Sequence, residues 1–224
     1  MGPLKLVLFD VDGTLIDSQH AIVAAMEAAA DEADLPLPTR ADTLSVVGLS
    51  LVEAVRRLFA DHPEEVQARA VESYRRAYMT GRDREGAPPF YDGILDVVRK
   101  LAERDEVLLG TATGMSRRGM RRIIDTYGLE RLFATTQTAD DHPSKPDPAM
   151  VLAALRETGV APRHAVFVGD TAYDIQAGRA AGVFTIGVTW GYHAADDLER
   201  AGADAVIDTV DALVPTIDRL WSET

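Results

Sequence analysis

Two rhythms of apolar residues run through this chain. The first is short runs dominated by apolar residues, at Leu6–Phe9, Val107–Ala112, Ala165–Val168 and Val183–Val188. Runs of this length without strict polar alternation predict strands buried on both faces, as in a covered parallel sheet. The second rhythm has intervals of three and four. Ile22, Met26, Ala29 and Ala30 share one helical face behind Asp17-Ser18, and Leu35–Pro38 ends that helix. Leu51, Val55, Leu58 and Phe59 follow Ser50-Leu51-Val52-Glu53, which reads as a capping box. Val66, Ala70, Tyr74 and Tyr78 recur every fourth residue in a helix expected over 64–80, and a charged connector follows at 81–89. From residue 94 the rhythms alternate. Helices are expected over 94–102, 116–127, 147–158, 172–181 and 210–221, with strands at 107–112, 133–138, 165–168 and 183–188 and a weak last one at 205–207.

Strict alternation predicts an α/β fold, with parallel strands joined by right-handed crossovers and helices on both faces. The first strand must join the same sheet, since alone it cannot bury itself. The expected organisation is therefore a Rossmann-like parallel sheet core, residues 1–16 and 83–224, with an all-helical cap domain inserted at 17–82. Ligands of open parallel sheets bind beyond the carboxyl ends of the strands, where this insertion emerges. Residues 16–18 and 81–89 are the expected hinges.

Composition narrows the function classes. The chain has 224 residues, 46% hydrophobic and 26% charged, which fits an ordinary globular protein. Its 23 basic and 36 acidic residues leave a net charge of −13 with no basic block, against a nucleic-acid or anionic-membrane surface. A small phosphorylated substrate stays open, because a bound metal inverts the local field. With no cysteine, thiolate catalysis, disulfides and Cys-ligated metals are out. Neither a membrane span nor a secretory leader is visible, so a cytoplasmic protein is expected, monomer or homodimer.

The expected strand ends collect unusual chemistry. The first delivers Asp10 and Asp12, the second Thr113 and Gly114, a later loop Ser144-Lys145-Pro146, and the fourth Gly169-Asp170 with Asp174 one helical turn on. Each alone has a plain structural reading as a turn, a helix cap or a solvated charge; together at four strand ends they are hard to attribute to capping. Asp10 and Asp170 are hard oxygen ligands suited to Mg²⁺. Asp10 could attack phosphorus, Asp12 could move the leaving-group proton, and Thr113, Gly114 and Lys145 could bind phosphoryl oxygens. The chain has only three lysines, which makes Lys145 more informative.

Asp10-x-Asp12-Gly13-Thr14, Thr113, Lys145-Pro146 and Gly169-Asp170-x-x-x-Asp174 resemble, in order, the four motifs of the haloacid dehalogenase superfamily, and the helical insertion resembles the cap of its phosphoglycolate phosphatase-like branch. The resemblance covers essentially the whole chain. It implies a Mg²⁺-dependent phosphatase with Asp10 as nucleophile and Asp12 as acid/base. The metal would sit on Asp10, the Asp12 main-chain carbonyl and Asp170, supported by Asp174. Asp12 argues for phosphoryl transfer rather than dehalogenation. Absence of lysine between Lys5 and Lys100 argues against the branches that use a cap lysine, including the phosphomutases, and His20 does not match the mutase spacing. Met115 stands where many relatives carry lysine, and Arg117 or Arg118 could partly substitute. In the cap, Gly48-Leu49-Ser50 resembles the loop that faces the active site. Its helix N-terminus, with Arg56 or Arg57, could take a substrate carboxylate. Trp190-Gly191-Tyr192-His193 also resembles this branch, with its rings in packing. The expected substrate is a small phosphorylated metabolite, first 2-phosphoglycolate. A sugar phosphate, nucleotide or pyrophosphate is the alternative, ahead of a phosphomutase or a non-catalytic phosphate-binding module.

Overall fold

The computed structural model describes residues 2–222. Six parallel strands form one sheet: β1 (Lys5–Phe9), β2 (Val107–Thr113), β3 (Thr135–Thr138), β4 (Ala165–Gly169), β5 (Phe184–Val188) and β6 (Ala205–Ile207), in the order β3-β2-β1-β4-β5-β6. This is the α/β, Rossmann-like arrangement. Strand β1 is central, and Leu6, Val7, Leu8 and Phe9 are fully buried. Burying each such side chain stabilises the fold by about 1.5–3 kcal/mol. Phe9 is level with Thr111 on one side and Val168 on the other. The chain beyond β1 therefore leaves the sheet beside the ends of β2 and β4.

Ten α-helices accompany the sheet among the described residues: α1 (Gln19–Glu32), α2 (Arg40–Ser45), α3 (Leu51–Leu58), α4 (Glu64–Glu85), α5 (Ile94–Ala102), α6 (Arg117–Tyr127), α7 (Ala149–Thr158), α8 (Ala172–Ala181), α9 (Ala195–Ala201) and α10 (Leu213–Ser222). One face of the sheet packs with Ile94, Val98 and Leu101 of α5, Met120 and Ile123 of α6, and Ile217 and Leu220 of α10. The other packs with Met150, Val151 and Ala154 of α7 and Ala177 of α8. Helices α1–α4 lie between β1 and α5 and bury a third cluster of their own, built on Met26, Ala30, Val55, Phe59 and Ala70.

Several elements depart from expectation. Helix α4 runs on to Glu85, so the connector expected over 81–89 shortens to 86–89. The roughly 1 kcal/mol penalty of glycine in a helix is too small to stop α4 at Gly81, and the helix runs on through the buried Arg82. Helices α2 and α9 were not marked by the pattern; six and seven residues are too few for a period to show. The Thr39-x-x-Asp42 capping box that starts α2 was nonetheless legible. At α3 only half the expected capping box forms. Ser50 Oγ accepts from Glu53 N–H, but Ser50 N–H donates to Ser144 Oγ at 2.8 Å, and the Glu53 carboxylate pairs with Arg56. The two connectors run side by side: Asp17 N–H donates to the Pro89 carbonyl at 2.8 Å, and Tyr91 N–H to that of Leu15 at 3.0 Å.

Candidate active site

Asp10 N–H donates to the Val168 carbonyl at 2.9 Å, one last rung of the β1–β4 ladder, and the chain then turns as the Val11 carbonyl accepts from Leu15 and Ile16 N–H at 2.9 and 3.0 Å. That leaves the Asp10 side chain buried at the sheet edge. Lys145, also buried, brings Nζ to 3.0 Å from Asp10 Oδ1 and 2.5 Å from Asp174 Oδ1. Burial opposes the Lys145 ammonium, but Asp10 and Asp174 outweigh it and raise its pKa above the ordinary lysine value. Asp174 is anchored in turn. Its Oδ2 accepts from the N–H and the hydroxyl of Thr171, at 3.1 and 2.7 Å, in a complete capping box at the start of α8. Asp174 is thus the buried support of Lys145, not a surface residue.

Asp170 is held on both oxygens. Thr14 Oγ1 donates to Oδ1 and Tyr192 N–H to Oδ2, each at 2.9 Å. Gly13 and Gly191 make room for this carboxylate: a Cβ on either would sit 2.3 Å from an Asp170 oxygen. Asp10, Asp170 and Asp174 gather ligand oxygens within 4.8 Å of one another. Burial raises the pKa of Asp10 well above the carboxylate range, Lys145 counteracts, and Asp174 and Asp170 add to the rise. Asp170 is raised to about 7 by burial and by Asp174. Neither Asp10 oxygen accepts a hydrogen bond of good geometry. Orphaned buried oxygens in an all-carboxylate donor set fit a small divalent cation. The Asp12 carboxylate lies outside this cluster. Ser18 Oγ donates to its Oδ1 at 2.5 Å and fixes its rotation, and Tyr192 Oη lies 3.1 Å from Ser18 Oγ. Burial raises Asp12 too, with Ser18, Arg82 and Lys145 pulling the other way.

A cleft of about 440 Å³ opens over Asp10 and Asp12, between the sheet edge and helices α1–α4. The structure brings Gly48, Leu49, Ser50, Gly114, Met115 and Arg118 to its walls. Gly114 is where two backbones meet, since a Cβ there would sit 2.4 Å from the Leu49 carbonyl oxygen. Thr113 is buried at the end of β2, its Oγ1 accepting from Met115 N–H at 3.1 Å. Arg56 does not line the cleft; it is half exposed and paired with Glu53. Arg57 donates to Tyr173 Oη at 3.0 Å, Arg117 pairs with Asp141, and His20 is exposed. With Ser50 N–H taken by Ser144, the loop expected to receive a carboxylate has lost one of its donors.

Sequence reasoning named Thr14, Ser18 and Tyr192 without a role at the site, and gave none to Thr171 or Arg82. Thr171-x-x-Asp174 is a legible capping-box pattern, and Trp190–His193 was noted only for its rings. Its chemical contribution is the Tyr192 main-chain donor, steadied by the Trp190 Nε1–H bond to the Thr14 carbonyl at 3.1 Å.

Comparison with known proteins bears on this geometry. A family model described as haloacid dehalogenase-like hydrolase matches residues 7–188. The chain is 31% identical over 215 residues to a phosphoglycolate phosphatase of Pseudomonas putida, covering 94% of this chain and 79% of that one. It is equally 31% identical over 219 residues to the pyrophosphatase PpaX of Listeria innocua, covering 96% and 97%. The crystal structure of a predicted phosphatase from Clostridium acetobutylicum superposes with a TM-score of 0.84 at 25% identity, over 97% of this chain and all of that one.

Proposed function

The chain belongs to the haloacid dehalogenase-like hydrolases and is a phosphatase, and on that premise we propose that it hydrolyses a small phosphomonoester through a phosphoryl group carried on Asp10, with Mg²⁺ as the metal and 2-phosphoglycolate as the first candidate substrate. The single observation that carries this reading is the state of Asp10: a buried carboxylate at a strand end, without a hydrogen bond, facing the cleft and 3.0 Å from a buried lysine. A structural aspartate would be hydrogen-bonded there. A nucleophile keeps an oxygen clear of protein donors, as Asp10 Oδ2 is, while Oδ1 faces the Lys145 ammonium.

Each role follows from the contacts. Asp10 attacks the phosphorus and its oxygen–phosphorus bond forms as the ester bond breaks. Asp12, its carboxyl raised by burial, is suited to hold the proton that the leaving alkoxide takes up, and afterwards to accept one from the water that cleaves the acyl phosphate. Lys145, with Thr113 and the Gly114 N–H, faces the phosphoryl oxygens. Asp10 and Asp170 would hold the metal, with the Asp12 main-chain carbonyl and Asp174 in support. It would supply positive charge to neutralise the oxygens gathered at this edge. Residues 17–82 act as a cap domain over the 1–16 and 83–224 core, excluding water when closed. A small phosphorylated acid is supported by the name of the Pseudomonas relative and by the arginines of the cleft. The PpaX name keeps pyrophosphate as the second reading.

Phosphate release from a panel of phosphomonoesters and pyrophosphate, with Mg²⁺ and with chelator, tests the proposal. Release should require the metal, favour 2-phosphoglycolate and vanish in Asp10→Asn. A flat profile across the panel rejects the substrate, and turnover surviving in Asp10→Asn rejects the nucleophile.

A further inference from the structure

Helix α4 presents Tyr74, Tyr78 and Arg82 at intervals of four, all lining the cleft. The tyrosine rings stack at 5.7 Å with their planes 12° apart. Arg82 comes next along this face, its guanidinium centre 5.8 Å from the Tyr78 ring. It is only 3% exposed, and its Nε and one terminal nitrogen make no hydrogen bond. No carboxylate lies within ion-pair distance of it among the described residues, whereas Arg56, Arg75, Arg76, Arg104, Arg117 and Arg122, all more exposed, each have one. A second orphan lines the same cleft. Thr43 of α2 is buried, and its Oγ1 has no hydrogen-bond partner. Around them the wall is apolar, including Ile22, Met26 and Met79. A few unsatisfied polar groups in an apolar concave wall are the makings of a ligand site, because leaving a buried guanidinium unpaired is costly until something pairs with it.

We infer that Arg82, assisted by Thr43, is the specificity-determining residue that receives an oxyanion carried by the leaving group. The substrates are then phosphomonoesters whose alcohol bears a second anion, a carboxylate or a phosphoryl group. The guanidinium fork matches either oxyanion in a bidentate manner. A mere counter-ion role toward Asp12 does not account for the site: no ion pair joins the two, and Ser18 already holds the Asp12 carboxylate. The assignment also moves the anion receptor from the main chain of the Gly48–Ser50 loop, whose Ser50 N–H is taken, to side chains on α4 and α2 that line the same cleft.

This inference rests on the phosphatase reading for its substrate class, but binding tests it without turnover. The probes are phosphate esters of unbranched ω-hydroxy acids from two to about six carbons, each paired with the ester of the diol of equal length, and the corresponding alkanediyl bisphosphates. Dissociation constants are measured by calorimetry with Mg²⁺ on the Asp10→Asn protein. At one chain length or more, the acid or the bisphosphate should bind at least about tenfold more tightly than the diol ester, the factor a hydrogen bond to a charged group supplies. Arg82→Met should erase that preference, Arg82→Lys retain part of it, and Thr43→Val weaken it with the helices intact by circular dichroism. Preference for the acid over the bisphosphate identifies a carboxylate, and the reverse a phosphoryl group. No preference at any length, or a preference that survives Arg82→Met, overturns the inference. If the wild-type protein releases no phosphate from any probe while the Arg82-dependent preference stands, the phosphatase reading fails and the anion site does not.

Discussion

Asp10 and Asp12 are two residues apart, yet the protein treats them oppositely. Asp10 is desolvated, left without hydrogen bonds and set against Lys145. Asp12 faces the cleft with one oxygen fixed by Ser18. Their types and spacing were legible because a nucleophile and a proton carrier must follow one strand end closely. Their supports were not: Thr14 reaches Asp170 across 156 positions, and Tyr192 reaches Ser18 across 174. Removing the Ser18 hydroxyl frees the Asp12 carboxylate to rotate. Ser18→Ala should therefore lower kcat by roughly ten- to a hundredfold, part of what general acid–base catalysis supplies, while KM changes little. Steady-state kinetics on 2-phosphoglycolate check this, and an unchanged kcat removes Ser18 from the account.

At the scale of elements, the site depends on how strand ends meet helix starts. Helix α8 begins on Thr171 and Asp174, and that cap aims the carboxylate holding Lys145. Asp174→Ala strips a partner from a buried cation and should destabilise the fold by about 3–5 kcal/mol in denaturant unfolding. A loss under about 1 kcal/mol would show that Asp10 alone suffices to balance Lys145. Gly114→Ala acts elsewhere. Its methyl meets the Leu49 carbonyl and pushes the Gly48–Ser50 loop off the sheet edge, so kcat/KM should fall while the far-ultraviolet circular dichroism stays unchanged. Long helices were readable from their period, and the sheet strands from short apolar runs that lack one. Helices α2 and α9 were too short to show one, and the last turn of α4 was misplaced because the charged stretch 81–89 reads as a connector. That misreading hid Arg82 in an expected connector.

For the whole molecule, the net charge of −13 looks adverse for an anionic substrate, but the cleft is lined by Arg82 and Arg118 as well as by Arg75 and Arg122, which pair with Glu72 and Asp83. The acidic edge makes stability depend on pH and metal together. Asp170, at about 7 in the folded protein against an ordinary 3.8, binds a proton in the folded state that the unfolded chain releases. Its contribution is therefore greatest at low pH, falls as pH rises through that window and stays lost above it. A divalent cation binds the ionised carboxylates and competes with those protons. Mg²⁺ should then raise Tm more at about pH 8 than at about pH 5, and equal shifts at both would contradict the acidic cluster as the metal site. Among the described residues no helix is long and apolar enough to cross a membrane. The central claim is that Asp10 carries the phosphoryl group, and trapping it tests this most directly. Asp12→Asn should form the acyl phosphate but hydrolyse it slowly. Acid quench of that protein with 2-phosphoglycolate and Mg²⁺, then peptide mass spectrometry, should find one added phosphoryl group on Asp10. A phosphoryl group on another residue, or none while the wild type turns over the same ester, would contradict the account.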